Sequence, residues 1–273
     1  MDFDLDAYLR RLGLDTVPVT PAGLAALQRA QLTALPFESL DPFLGITPDL
    51  RLDRISEKVL ARRRGGYCFE LNALLGAAMA ALGFPVRRVL GRVRKGRPEP
   101  GPRTHLAILT EAGGRPWLAD AGFGGPAPLV PLALDDEGEQ AAPNGRYRLT
   151  HDPTTGETVV EQLTPRGWFQ LYGFDGAHVT DADIDAANHV CATWPGLPFA
   201  RHLMAGGYRG DLRIGLFDRA ATVERPGGSE KRELRDRAEF AALLRDRLGI
   251  AAPEAALDQA WARLAGAKAA QKV

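Results

Sequence analysis

Apolar residues recur every three or four positions from the N-terminus to about Phe84, and every second position after Pro85. The first spacing belongs to helices that bury one face, the second to half-buried strands. Leu5, Tyr8, Leu9 and Leu12 form one helical stripe, and Thr20-Pro21 reads as an N-cap with proline at the first helical position before Leu24, Leu27 and Leu32. Asp53 stands as the cap of a third helix carrying Ile55, Val59 and Leu60. A fourth begins at or beside Cys68 and is apolar nearly all round, through Leu71, Leu74, Leu75, Ala78, Met79 and Leu82, which marks it as the buried member. Gly83 before Phe84-Pro85 stops it.

Beyond Pro85, strands are predicted at 86–93, 104–110, 116–121, 147–150, 158–163 and 168–174, separated by Gly, Pro, Asn or Asp, as in an antiparallel sheet or barrel. A helix capped by Asp181 runs to about Cys191, and a strand covers 212–217. A loop around Pro226-Gly227-Gly228 leads to helices at 238–248 and 253–265. Helices, then strands, then a mixed tail describe an α+β protein with loosely segregated subdomains. There is no internal repeat.

Composition narrows the partners more than the fold. The 34 basic and 34 acidic residues cancel, so no overall field favours nucleic acid or an anionic membrane, and any anion site must be local. No apolar run approaches the ~18 residues that span a bilayer. The acidic start, Met1-Asp2-Phe3-Asp4-Leu5-Asp6, is unlike a signal or transit peptide. Two cysteines far apart fit free thiols in a reducing compartment, the cytoplasm, rather than a disulfide framework. His189 and Cys191 are neighbours, but two residues do not make a metal site, and no metal is expected.

The candidate chemistry starts at Arg64-Gly65-Gly66-Tyr67-Cys68-Phe69-Glu70-Leu71-Asn72. Two glycines permit positive φ and a tight bend, and they place Cys68 at a helix N-terminus, where the dipole favours a thiolate. Arg62, Arg63 and Arg64 add positive potential. The competing reading is a small buried hydrophobe, the commonest role of a free cysteine.

A nucleophilic thiol needs a base and a group to orient that base. Gly113-Gly114 is a preferred two-residue hairpin turn, and with it Ala112 faces Arg115 and Ala107 faces Asp120. His105 and Asp120 then share one sheet face as diagonal neighbours; a three-residue loop would instead turn Asp120 to the other face. His151, His178, His189 and His202 have no such carboxylate opposite and read as solvated or capping residues.

The cysteine motif, Thr104-His105-Leu106 and Trp117-Leu118-Ala119-Asp120-Ala121-Gly122-Phe123-Gly124 resemble the arylamine N-acetyltransferase family. Pro36-Phe37-Glu38-Ser39-Leu40 and Trp168-Phe169-Gln170-Leu171-Tyr172 are similar to it as well; the likeness runs to about Phe199 and is weak beyond. The resemblance implies a helical bundle over 1–84, a β-barrel over 85–195 and an α/β lid over 196–273. It implies a Cys68, His105, Asp120 triad that takes acetyl from acetyl-coenzyme A, as co-substrate, and passes it to an arylamine, arylhydrazine or arylhydroxylamine in a ping-pong cycle. It further implies that Phe37 and Phe123 line the acceptor pocket, that Thr104, Gly124 and Gly125, with Gly122, approach coenzyme A, and that Glu38 and Arg64 form a supporting ion pair. Ser39 stands where the family commonly has asparagine, and the Pro195-Gly196-Leu197-Pro198-Phe199 stretch lacks a serine often found there. Alternatives on the same residues are an amide synthase acting on a carrier-bound polyketide, a cysteine hydrolase of transglutaminase or papain type, and a catalytically dead binding module.

Overall fold

The computed structural model describes residues 3–97, 100–210, 212–225 and 227–270. In chain order the elements are α1 (Leu5–Leu12), α2 (Pro21–Ala34), β1 (Phe37–Glu38), α3 (Leu40–Phe43), α4 (Leu52–Ser56), a wide π-turn at Glu57–Ala61, and α5 (Cys68–Leu82). There follow β2 (Arg87–Val93), β3 (Arg103–Ala112), β4 (Arg115–Ala119), β5 (Leu132–Ala133), β6 (Gln140–Ala142), β7 (Gly145–Asp152), β8 (Glu157–Thr164) and β9 (Gly167–Phe174). The remainder is α6 (Asp181–Thr193), β10 (Met204–Arg209), β11 (Leu212–Phe217), β12 (Ala220–Arg225), β13 (Gly228–Glu233), α7 (Arg237–Ala242), a second π-turn at Leu243–Arg247, and α8 (Glu254–Ala270).

Local signals set most boundaries. The Thr20 hydroxyl accepts from Gly23 N–H with Pro21 at the first helical position, and Gly83 ends α5 at φ 97°, a left-handed conformation that glycine adopts without a Cβ clash. Three expectations change. Arg51, not Asp53, precedes α4, and Asp53 lies inside its first turn. Thr180, not Asp181, caps α6, bonding reciprocally with Asp183. The helix expected over 238–248 is α7 followed by a π-turn. Pro226 lies outside the described residues, as do Met1, Asp2 and residues 271–273.

The antiparallel strands run β5-β4-β3-β2-β9-β8-β7-β6. The Gln140 side chain almost closes this sheet into a barrel, donating to and accepting from the Ala133 backbone at 2.8 Å each, so an amide stands in for a missing strand pair. A second sheet runs β1-β10-β11-β12-β13. Phe37 pairs with Gly206, Glu38 with Ala205, and Phe37 also bridges Gly66 in parallel. Ser39 strengthens that join by accepting from Met204 N–H at 3.0 Å.

Three apolar clusters support these layers. One packs α5 among the N-terminal helices, the first barrel strands and α6; a second lies between the C-terminal sheet, α7 and α8; the third fills the barrel around Tyr147, Val160 and Leu171.

Candidate active site

Cys68 is the first residue of α5, at a loop pressed against β1. The glycines before it serve close approach rather than positive φ, correcting the expectation: a Cβ on Gly65 would lie 2.3 Å from the Pro36 carbonyl oxygen, and one on Gly66 2.9 Å from Glu70 Cβ. The residue with positive φ is Arg63, at 52°. Nor do the arginines serve the sulfur. Arg62 pairs with Glu57 at 2.5 Å, while Arg64 lies 2.6 Å from Glu38 and 2.8 Å from Asp41. Lys58 joins the same buried cluster, 2.7 Å from Asp41 and 2.8 Å from Glu70, whose carboxylate also accepts Tyr67 N–H. Glu38 and Arg64 thus hold the cysteine loop in place.

The β3–β4 hairpin has the expected register, Ala112 opposite Arg115 and Ile108 opposite Ala119, with Gly113 and Gly114 at φ 61° and 72° as a type I′ turn requires. Asp120 follows β4 directly, and its Oδ2 lies 2.7 Å from His105 Nε2. That contact leaves Nδ1 for Cys68, with which the ring also hydrogen-bonds. All three side chains are buried.

Burial alone would raise the Cys68 pKa. Hydrogen bonds with Cys191 and His105, the His105 charge and Leu106 N–H outweigh it and bring the thiol from an ordinary 9.0 down to about 6. Burial would lower His105, but the Asp120 charge and hydrogen bond, with Cys68, raise it to about 9. Asp120 is held below the usual carboxylate range against its own burial by His105, Asn72 and Gly122 N–H. Near neutrality the arrangement is a thiolate beside an imidazolium backed by a carboxylate, the form needed to attack an acyl carbon.

Several residues in this assembly went unassigned in the sequence. Asn72, one turn along α5 from Cys68, donates to Asp120 Oδ1 at 2.8 Å and to the Leu106 carbonyl at 2.5 Å, and accepts Ala121 N–H at 2.9 Å. Its signal was an amide within an apolar helix, four residues after the thiol. Gln28 accepts Asp120 N–H at 3.0 Å, and the Tyr172 hydroxyl bonds to Asp120 with its ring 4.5 Å from that of His105. Cys191 is the fourth: both cysteines, far apart in sequence, point at the Thr104 carbonyl oxygen, Cys68 Sγ at 3.6 Å and Cys191 Sγ at 3.8 Å.

The remaining candidates fall around this centre. Phe123 stands edge-on to His105 with ring centroids 5.1 Å apart, and Phe37 is 6.2 Å from Phe199. Phe37, Gly124 and Gly125 line a narrow cavity with Tyr208 and Arg213, and those last two also line a cavity of about 550 Å³. Gly122 packs on α5, where a Cβ would lie 2.9 Å from Cys68 Cα. The Thr104 hydroxyl is turned away to the Pro102 carbonyl, so Thr104 meets the site through its backbone. His202, expected to lack a carboxylate, bonds Asp218 at 2.7 Å on the half-buried side of β10. Among the described residues no group of three or more His, Cys, Asp or Glu is placed to hold a metal ion.

The family described as N-acetyltransferase matches residues 22–256. The arylamine N-acetyltransferase of Mycobacterium tuberculosis is 35% identical over 98% of this chain and 100% of its own. The chain belongs to the arylamine N-acetyltransferase family. It is an acyltransferase by that membership, and the match extends well past Phe199, where the likeness of individual motifs had faded. The solved structure of the Mycobacterium marinum family member in complex with CoA superposes with a TM-score of 0.88, at 33% identity over 96% of this chain and 98% of that one. The helical bundle, antiparallel barrel and C-terminal α/β part are therefore the family's fold. Proansamycin X synthase of Amycolatopsis mediterranei is 30% identical over 63% of this chain and 67% of its own.

Proposed function

We propose that this chain carries acetyl from acetyl-coenzyme A to an aromatic amine, hydrazine or hydroxylamine through a thioester on Cys68. The observation that carries the reading is the buried line from Cys68 through His105 to Asp120, in a family with a member solved bound to CoA.

The Cys68 thiolate attacks the thioester carbonyl carbon, the carbonyl re-forms as the carbon–sulfur bond to coenzyme A breaks, and the leaving thiolate takes a proton from the His105 imidazolium. One thioester replaces another of similar energy. An incoming amine then attacks the acetyl carbon, His105 accepts its proton, and Cys68 leaves as thiolate. Asp120 fixes the ring tautomer and stabilises the imidazolium in both halves. The triad draws on residues either side of Pro85, and Gly206, Gly207, Tyr208 and Arg213 of the C-terminal part help line the narrow cavity nearby.

Phe37 and Phe123 offer flat apolar faces for an aromatic acceptor. Coenzyme A would approach past Gly124, which is exposed at the rim of the narrow cavity. Lys95 Nζ lies there, 5.1 Å from the Phe123 ring centroid, and makes no ion pair among the described residues. Arg29, Arg213 and Arg225 line the adjoining large cavity, a suitable setting for phosphates.

The test is intact mass after incubation with acetyl-coenzyme A without acceptor. One acetyl on Cys68, absent in Cys68→Ala and discharged by an arylamine, supports the cycle; labelling that survives Cys68→Ala sinks it. The likeness to proansamycin X synthase favours a second reading, amide formation on a carrier-bound polyketide acyl group. Aminolysis of a long polyketide thioester in preference to acetyl-coenzyme A would select it. Turnover of an acyl ester or amide by water alone would select a hydrolase.

A further inference from the structure

Cys191 forms no bond to the acyl group in the proposed cycle, yet its sulfur is buried beside the nucleophile. It sits in the last turn of α6, 1% exposed, and shares the Thr104 carbonyl oxygen with Cys68. Each thiol also shifts the other's titration, Cys191 lowering Cys68 and Cys68 raising Cys191. Thr104, whose carbonyl oxygen both sulfurs approach, also lines a cavity of about 280 Å³ with Ala187 and Val190 of α6.

We propose that Cys191 is a resolving thiol: hydrogen peroxide converts Cys68 and Cys191 into an intramolecular disulfide, which thiol reductants reverse. The Cys68 thiolate attacks one peroxide oxygen, the O–O bond breaks, and the departing hydroxide takes the His105 imidazolium proton to become water, leaving a sulfenic acid beside a neutral ring. Cys191 then gives its proton to the now neutral His105 and attacks the Cys68 sulfur; the S–O bond breaks, and the leaving hydroxide takes that proton from His105 and departs as the second water. Two thiols and one peroxide become one disulfide and two waters.

The order of events follows from the site's electrostatics. Cys191 is held as a thiol first by its hydrogen bond to Cys68, then by burial and the Cys68 charge, so it stays protonated while Cys68 is anionic. A neutral sulfenic acid removes that charge, and His105, which interacts with the Cys68 sulfur, is by then neutral and free to take the proton. The last turn of a helix is the part that yields most readily to the small approach a disulfide needs. Without a second thiol, further peroxide drives Cys68 to sulfinic acid, from which reductants do not recover it.

The experiment treats the full-length protein with hydrogen peroxide at neutral pH, traps remaining thiols with N-ethylmaleimide, and maps the products by mass. The expected result is loss of both free thiols together, a cross-linked peptide pair containing Cys68 and Cys191, and full return of both thiols with dithiothreitol. In Cys191→Ser and Cys191→Ala, Cys68 should instead gain oxygen and fail to recover. Over-oxidised Cys68 with Cys191 still free in the wild type overturns the proposal, as does a disulfide between two chains. Wild-type mapping decides even if the variants misfold. The readout is mass, so it stands apart from whether acetyl-coenzyme A acylates Cys68.

Discussion

Replacing Asp120 with asparagine removes the charge that sets the rest of the site. The carboxylate lies 2.7 Å from His105 Nε2 and is buried with it, so solvent does little to screen the pair. Burial is already the largest single influence on His105, and without the charge that opposes it the pKa falls from about 9 toward the ordinary 6.5 or below. Cys68 loses the neighbouring imidazolium and moves from about 6 back toward 9.0. A full return is three pH units, or ~4 kcal/mol at ~1.4 kcal/mol per unit, and takes the thiolate fraction at pH 7 from about nine-tenths to about one-hundredth. A more basic thiolate is intrinsically more nucleophilic, with a Brønsted slope of about 0.4–0.5, which offsets part of the rate loss at any single pH. The informative quantity is therefore the midpoint of the pH profile. Alkylation of Cys68 by iodoacetamide should rise with pH through about 6 in the wild type. In Asp120→Asn the midpoint should move up by about two units or more, while acetyl transfer falls ~10³-fold or more because the ring loses its tautomer. A folded variant whose alkylation midpoint stays at the wild-type value would refute this account of the thiolate.

Arg64→Met leaves Glu38, 2% exposed, with Leu40 N–H and, as a counter-charge, the more distant Lys58, 3.9 Å away, and should cost ~3–5 kcal/mol in urea unfolding, as breaking a buried pair does. Gly124→Ala puts a Cβ 2.4 Å from a Phe37 ring carbon at φ +69°, so KM for the aromatic acceptor should rise, with ~1–2 kcal/mol of backbone strain visible in thermal melts. Lys95→Glu should raise KM for acetyl-coenzyme A by about tenfold with a smaller effect on kcat, an effect that shrinks as salt is added; an unchanged KM would place the coenzyme phosphates elsewhere.

The most legible parts were those with local causes. Gly113-Gly114 fixes the hairpin register and with it the His105–Asp120 contact, and Cys68 begins α5 where the apolar run starts. Residues that reach the site from distant positions left weaker marks. Tyr172 looked like one more barrel residue and Gln28 like one more polar residue in α2, and only folding brings each to Asp120. Cys191 was equally mute, because nothing near it in sequence points at Thr104. Strands β10, β12 and β13 were missed for different reasons. β10 carries Gly206-Gly207, and β13, Gly-Ser-Glu-Lys-Arg-Glu, is exposed throughout, so it has no buried face to impose alternation. The glycines before Cys68 were correctly singled out, but sequence could not separate a need for positive φ from a need for room beside Pro36.

The parallel bridge between Phe37 and Gly66, on a strand that pairs with β10, bears on how the protein is born. The loop holding the nucleophile is stitched to residues near the far end of the chain. As the polypeptide leaves the ribosome, Cys68 and the neighbouring β1 emerge early, but β1 lacks its own partner strand until Ala205 and Gly206 have followed. The sheet beside the thiol is thus completed late, after the whole barrel that supplies His105 and Asp120 has been made.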